Sequence, residues 1–357
     1  LALLLIVTHE LMPVSIAYAQ TVPVLQDQPL FTVSTVQPNL MLTLDNSGSM
    51  AWQFAPMSTS SKQGSNCFQN ANYNRLYYNP NVTYIAPIKP DGTRYADASY
   101  TAAWRDGFNT GAGTINLSTG FPAVGNYAAA TQSNSNTEPR ESNTPANRGA
   151  YHHAYTAASP ATPVVGTCYA NASYTLVDMN AATAAQKTNF ANWFSYYRTR
   201  INAMKTAAGE AFRVVDNSFR VGLHTINNPS ATGSTGGFLP LATFETTART
   251  TWYNRFYQLL PSGNTPLREA QQRIGEYYKA GTKPGGGAVA DPIQYSCQQN
   301  YHLLTTDGQW NNTGASGTVG STNYDNTLPS TNPDLLAALN AEFGTTFTAG
   351  AAWPRPY

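Results

Sequence analysis

Short apolar runs alternate with amphipathic helical segments along much of the chain, and this alternation most constrains the fold. The run Asn39–Asp45 lies between Pro38 and the turn-forming Asn46-Ser47-Gly48, a pattern typical of a buried strand followed by a sharp turn. Arg220–Thr225 and Tyr301–Thr305 are predicted to be further strands, the latter also buried. Strands that alternate with helices predict an α/β domain with a mostly parallel sheet.

Four segments have helical character. Apolar residues recur at three- and four-residue steps over Ala184–Phe212, which predicts one amphipathic helix. Trp252–Leu260 is rich in aromatic residues and helix-like, and Thr265-Pro266-Leu267 opens a helix with its proline at the first position. Pro333–Phe343 is a further candidate helix.

The segment between the first strand and the first helix lacks apolar periodicity. Residues 55–183 are rich in Asn, Ser and Tyr, and so long a loop is uncommon inside a compact domain. We therefore expect residues 20–54 to begin a domain, residues 55–183 to be an inserted module, and residues 184–357 to continue that domain. The tyrosines indicate either a surface that contacts carbohydrate or protein, or packing within the module. His152 and His153 are expected in an exposed loop.

The composition limits the class of partner, and the amino-terminal sequence indicates where the protein is located. With 20 Lys and Arg against 19 Asp and Glu, the net charge is +1, which argues against a nucleic-acid binder. The apolar run Leu1–Val7 followed by Ala17-Tyr18-Ala19 predicts a signal peptide over residues 1–19 whose charged start is truncated. Since no segment reaches the roughly 18 apolar residues of a membrane helix, we expect an exported protein without a membrane span.

The chain has three cysteines, Cys67, Cys168 and Cys297. They form neither a CxxC motif nor a Cys/His cluster, so they do not indicate a zinc site. In an oxidising compartment a disulfide is expected, and we pair Cys67 with Cys168 because both lie in the polar middle region. Cys297 is then either buried and free, or paired with a partner beyond Tyr357.

Polar residues cluster where predicted strands end or helices begin. Asp45, Ser47 and Ser49 follow the first strand, Thr265 precedes a helix, and Asp307 follows the last predicted strand. Ligands of open α/β sheets bind outside the carboxyl ends of the strands, so these loops are expected to converge. Carboxylate and hydroxyl oxygens suit a hard cation, Mg²⁺ best, with Ca²⁺ or Mn²⁺ possible, and an acidic group of a partner would complete the coordination.

Simpler interpretations of the same residues remain open. Asp45 and Ser47 also fit a capped turn, Thr265 fits a helix N-cap, and Asp307 before a glycine fits a turn. His224 and His302 are expected to be core or edge histidines within strands. No hydrolase, zinc-protease or phosphate-loop motif occurs, and Ser47 has no histidine base nearby, so a hydrolase is only a remote alternative and we expect no enzyme.

The pattern Asp45-x-Ser47-x-Ser49, followed by a loop threonine and Asp307-Gly308, resembles the metal-ion-dependent adhesion site of von Willebrand factor type A domains. The resemblance implies a doubly wound, mostly parallel sheet with a long polar insertion. It also implies that Ser47, Ser49 and Thr265 supply hydroxyl ligands, with Asp45 and Asp307 acting directly or through water.

Segments outside this motif resemble one particular family that contains such a domain. Asn189–Arg200, Asn264–Arg268 with Tyr277-Tyr278, and Ser296–Tyr301 resemble the PilY1/PilC family of type IV pilus biogenesis proteins. The resemblance extends over about residues 39–54 and 185–312. It implies a pilus-associated adhesin or assembly factor in the periplasm, at the outer-membrane surface or on the pilus.

The same resemblance implies partners and a larger architecture. The partners would be pilus components and either a protein ligand with an acidic group or a host-surface receptor. A C-terminal propeller, often with a calcium loop, and the last strands of the A domain would lie beyond Tyr357. An alternative is a structural pilus-tip or force-sensing element in which the metal only stabilises the fold.

Overall fold

The computed structural model describes residues 36–55, 65–121, 149–227, 236–281, 283–284 and 287–308. The strands are β1 (Asn39–Leu44), β2 (Ala103–Trp104), β3 (Thr114–Ile115), β4 (Tyr151–Tyr155), β5 (Tyr174–Asp178), β6 (Arg220–Thr225), β7 (Phe238–Thr243) and β8 (Asn300–Thr305). The α-helices are α1 (Ala184–Tyr196), α2 (Arg200–Ala211), α3 (Thr246–Gln258) and α4 (Leu267–Ala280). The main sheet has the order β7-β6-β1-β8, and β1 pairs in parallel with both β6 and β8.

Helices cover both faces of this sheet. Successive side chains of β1 point to opposite faces, so Leu42 packs with α2 and α3 while Met41 packs with α4. Met41, Leu42 and Leu44 of this strand are fully buried and Leu40 is partly buried, as expected for a central parallel strand with helices on either side. The predicted α/β class with a mostly parallel sheet is confirmed. Strand β7, which pairs antiparallel with β6, was not predicted.

The predicted single helix over Ala184–Phe212 is wrong, because α1 ends before α2 begins. The Thr199 hydroxyl caps α2 by accepting a hydrogen bond from the Asn202 amide. At the break, the Arg198 guanidinium lies 3.5 Å from the ring centroid of Phe194 and donates to the Arg105 carbonyl at 2.8 Å. The spacing of the apolar residues did not reveal the break, because these residues recur at three- and four-residue steps in both helices.

Residues of the predicted insertion pack directly on α1. Phe190, Trp193 and Phe194 share one buried cluster with Tyr77 and Tyr78. The Trp193 indole also donates to the Leu76 carbonyl at 2.9 Å. Many tyrosines of this segment therefore serve as core residues in a region with few aliphatic side chains.

The expectation of an exposed loop at His152 and His153 is wrong. Both lie in β4, which pairs antiparallel with β5, and both are 7% exposed. The His152 ring packs edge-on against Tyr78, so aromatic packing accounts for its burial. Cys67 and Cys168 are joined by a disulfide with their Cα atoms 5.4 Å apart, and Cys297 is free and exposed.

Strand β8 is less buried than predicted. Within the described residues it is an edge strand, and Tyr301 and Leu303 are 48% and 47% exposed. Helix α3 begins at Thr246, six residues before the predicted aromatic segment. The predicted signal peptide and the candidate helix Pro333–Phe343 lie outside the described residues. Among the described helices, none has the length and apolar character needed to cross a membrane.

Candidate metal centre

Asp45 is a candidate ligand whose position is held by several hydrogen bonds. It follows β1 directly and is fully buried. One of its carboxylate oxygens, Oδ1, accepts from the Ser47 amide at 2.8 Å, and the other, Oδ2, accepts from the Thr306 hydroxyl at 2.8 Å. The Asp45 amide also donates to the Thr305 carbonyl at 2.9 Å, which joins the end of β1 to the end of β8. The carboxylate thus has a defined orientation at the sheet edge.

The two serines of the motif form a pair of hydroxyls beside Asp45. The Oγ atoms of Ser47 and Ser49 lie 3.0 Å apart. Ser47 is 1% exposed, and a short 3₁₀ helix over Gly48–Ala51 begins immediately after it. This sharp turn brings both hydroxyls to one side of the loop.

Thr265 belongs to a second loop that is bonded to the first. The Gly48 amide donates to the Gly263 carbonyl at 3.0 Å, and the Ser262 amide donates to the Asn46 carbonyl at 2.6 Å. Gly263 has a φ of 71°, a left-handed conformation that glycine adopts without strain. Thr265 itself is buried, two residues before α4.

Asp307 lies in the third loop, directly after Thr306, and forms an ion pair that the sequence did not predict. Arg200, the first residue of α2, donates through Nη1 to Oδ2 of Asp307 at 2.5 Å, and both side chains are 8% exposed. The Arg200 Nε also donates to the Phe54 carbonyl at 2.8 Å, and its guanidinium lies 4.9 Å from the Trp52 ring centroid. Arg200 therefore links helix α2, the segment after the serines and the loop after β8.

The three predicted loops do meet at the carboxyl edge of the sheet. In the structure Asp45 contacts Ser47 and the loop after β8, and Ser47 contacts Ser49. Thr265 is linked to these residues through hydrogen bonds of its loop, at Ser262 and Gly263. Sequence analysis missed Asn46, Thr306 and Arg200. The Asn46 side chain accepts from the Asn227 amide at 2.9 Å, an interaction that no local pattern reveals.

Two histidines lie within the sheet beneath this edge, the buried His224 on β6 and the partly buried His302 on β8, as expected for core or edge histidines. The Thr43 hydroxyl contacts His224 Nδ1 at 3.0 Å and His302 Nε2 at 2.8 Å. Burial lowers the pKa of His302 and brings the pKa of His224 well below its ordinary value. Both rings are therefore neutral at pH 7 and add no positive charge near Asp45.

The donor set at the edge contains carboxylates and hydroxyls. In the part of the chain that the structure describes, no group of three or more His, Cys, Asp and Glu side chains is placed to bind a metal ion. A cation at this edge would therefore depend on hydroxyl oxygens as well as on Asp45 and Asp307. Such a set suits Mg²⁺, Ca²⁺ or Mn²⁺ rather than a soft metal.

Comparison with known proteins places the chain among type IV pilus biogenesis factors. It is 34% identical over 311 residues to the type IV pilus biogenesis factor PilY1 of Pseudomonas aeruginosa strain PAK, covering 83% of this chain and 26% of that protein. It is 35% identical over 327 residues to PilY1 of strain UCBPP-PA14, covering 88% of this chain and 26% of that protein. No family model and no solved structure matches the chain.

This stretch of sequence therefore belongs to the PilY1 family. It spans about a quarter of the length of the curated relatives it matches.

Proposed function

We propose that this chain is the adhesive, von Willebrand A-like part of an exported type IV pilus biogenesis factor, and that it binds a partner through a Mg²⁺-dependent site. The observation that carries the proposal is the convergence of Asp45, Ser47, Ser49, Asp307 and the Thr265 loop at one sheet edge. The parallel sheet with helices on both faces supports the von Willebrand A-like assignment. Similarity to PilY1 supports a role in pilus biogenesis.

The geometry of the serines fits a magnesium site. Mg²⁺ binds oxygen ligands at about 2.1 Å in octahedral geometry, so adjacent ligands are separated by about 3 Å. The Ser47 and Ser49 hydroxyl oxygens already lie 3.0 Å apart. Two neighbouring coordination positions therefore require little movement of either side chain. Ca²⁺ and Mn²⁺ have the same preference for oxygen and remain possible occupants.

When bound, Mg²⁺ would supply a positive charge with a coordination position open to a partner's carboxylate. The residues of this chain orient that position. Ser47, Ser49 and Thr265 contribute neutral oxygens, so they leave the charge of the cation largely uncompensated. Asp45, oriented by the Ser47 amide and the Thr306 hydroxyl, would accept hydrogen bonds from water bound to the cation. The role is therefore binding rather than catalysis.

The Arg200–Asp307 pair favours a second candidate function, a structural one. Because Arg200 already neutralises Asp307, this edge of the sheet has a positively charged group without any metal. In that case the domain is an assembly or force-bearing element of the pilus tip, and a cation adds only stability.

Variants in the intact gene distinguish these two functions. The double variant Ser47→Ala/Ser49→Ala removes two neutral ligands while leaving Asp45 and Arg200 in place. We expect cells that carry it to assemble pili normally but to attach poorly to surfaces, and EDTA to reduce wild-type attachment in the same way. A matched double variant at exposed hydroxyls, Thr247→Ala/Thr251→Ala on α3, should behave as wild type. Loss of piliation in the serine variant would support the structural function and contradict adhesion.

A further inference from the structure

A groove lies in the predicted insertion and shares no residue with the candidate metal centre. Two cavities, of about 290 Å³ and about 250 Å³, are both lined by Tyr78, Pro80 and His152. They therefore adjoin one another on either side of these residues. Each is large enough for about one sugar ring or amino-acid side chain.

The walls of the larger cavity are fixed by hydrogen bonds and do not need to rearrange. The Asn70 side chain donates to the His153 carbonyl at 2.7 Å, and the Asn72 side chain donates to the Val164 carbonyl at 2.9 Å. The disulfide between Cys67 and Cys168 joins the chain segments on either side of this wall. A preformed site of this kind binds with a small entropic cost.

The two ends of the groove differ in charge. Among the described residues that line the larger cavity, Arg75 is the only Lys, Arg, Asp or Glu, and its side chain is exposed. Burial lowers the pKa of His152, so its ring is neutral near pH 7 and the positive charge at this end comes from Arg75. Asp178 and Gln186 supply hydrogen-bond acceptors to the smaller cavity, and none of the described residues that line it is Lys or Arg.

The side chains between these ends match a saccharide. Pro80 is exposed and presents C–H groups against which a sugar ring packs, while Tyr78, only 2% exposed, closes the floor of both cavities. Asn81, exposed at the rim of the larger cavity, has an amide that both donates and accepts, as sugar hydroxyls require. Arg75 matches the planar carboxylate of an acidic sugar through paired hydrogen bonds.

We propose that this groove binds an acidic oligosaccharide, with the carboxylate-bearing sugar in the cavity of Arg75 and a neutral, hydroxyl-rich sugar in the cavity of Asp178. A ligand with carboxylates on both sugars is disfavoured, because its second carboxylate would lie beside Asp178. The inference does not depend on the metal centre. A protein with both sites would recognise a cell surface through two chemically distinct contacts.

Calorimetric titration of the full chain with 3′-sialyllactose, and with lactose as the uncharged probe, tests the proposal. We expect sialyllactose to bind at least about tenfold more tightly than lactose, since only sialyllactose has a carboxylate that accepts hydrogen bonds from the charged Arg75. The variant Arg75→Gln should bind sialyllactose about as weakly as lactose. Asn81→Ala should weaken both sugars, and the charge-matched Lys279→Gln on α4 should change neither.

Three results would overturn the inference. The first is the absence of sialyllactose binding at millimolar concentration. The second is an equal affinity of Arg75→Gln and Lys279→Gln for sialyllactose. The third is Arg75-dependent binding of a glutamate-rich peptide without saccharide binding, which would assign the groove to a protein partner. Because Arg75, Asn81 and Lys279 are exposed, all three variants should fold as wild type, which circular dichroism would verify.

Discussion

Arg200 and Asp307 form a buried ion pair beside the proposed metal centre, and this pair affects both stability and cation binding. Both side chains are only 8% exposed. Removal of one partner from a buried pair leaves an uncompensated charge, which is costly. The guanidinium also bonds to the carbonyls of Phe54 and Ala55, so it stabilises the chain after the serine motif.

We expect Arg200→Gln to lower the free energy of unfolding by about 3 kcal/mol in EDTA. Mg²⁺ should then stabilise this variant more than it stabilises wild type, because a cation would replace the missing positive charge beside Asp307. Urea unfolding with and without Mg²⁺ measures both effects. As a control, Arg94→Gln removes an exposed pair with Glu210 and should cost less than about 1 kcal/mol without changing the response to Mg²⁺. An equal Mg²⁺ response in all three proteins would contradict the account.

The tripeptide Asp-Asn-Ser occurs twice, and only one copy lies in a candidate site. At Asp216 the carboxylate accepts from the Ser218 amide at 2.9 Å, as Asp45 accepts from Ser47. Asp216 is exposed, and its carboxylate accepts only from Ser218 among its described hydrogen bonds, while the Asn217 carbonyl of the same turn accepts from the Gln37 side chain. The local pattern therefore predicts the turn, whereas the buried strand before Asp45 predicts the site. Thr306 and Arg200 are distant from Asp45 in sequence and reach the candidate site only through the fold. No local sequence pattern therefore predicts that they belong to it.

Secondary-structure elements could be predicted where a single periodicity controls them. Strand β1 has turn residues at both ends and was predicted with nearly its observed bounds. The break between α1 and α2 was not predicted, because it depends on a cap at Thr199 and on the contact of Arg198 with Phe194. Strand β7 contains Pro240, and a proline argues against a strand unless the strand is at the edge of a sheet. Within the described residues β7 is such an edge strand.

The cap at Thr199 separates two helices that would otherwise have the apolar spacing of one. We expect Thr199→Ala to lower the free energy of unfolding by about 1 kcal/mol, because the Asn202 amide loses its acceptor. Thr251→Ala is the matched control, since that hydroxyl is exposed within α3 and bonds only to the Thr247 carbonyl of its own helix among its described bonds. Chemical denaturation measures both. Equal stability of the two variants would show that the cap does not stabilise α2.

The distribution of tyrosines across the chain sets its response to alkaline pH. Burial raises the pKa of four tyrosines to about 12, namely Tyr84, Tyr100, Tyr196 and Tyr253. In the unfolded chain these groups ionise near pH 10. Their contribution to stability is therefore fully present below pH 10 and is lost as the pH rises from 10 to 12.

Lys205 has the opposite effect. Burial lowers its pKa to about 8, while its Nζ atom donates to the Tyr257 carbonyl at 2.7 Å. The unfolded chain binds the additional proton between about pH 8 and 10.5, so stability rises with pH in that interval. We expect urea unfolding to show greatest stability near pH 10, and Lys205→Met to lose the rise but keep the alkaline decline. A decline that already begins at pH 8 in wild type would contradict this assignment.

The central claim is a cation site at the carboxyl edge of the sheet, and thermal unfolding tests it most directly. The full chain, Asp45→Ala and the matched turn variant Asp216→Ala would each be melted in EDTA and in millimolar Mg²⁺. At 100 times its dissociation constant, a ligand stabilises the folded state by about 2.7 kcal/mol. We predict this shift for wild type and Asp216→Ala and its absence in Asp45→Ala. A folded wild type without a response to Mg²⁺, Mn²⁺ or Ca²⁺, or an equal shift in Asp45→Ala, would contradict the claim.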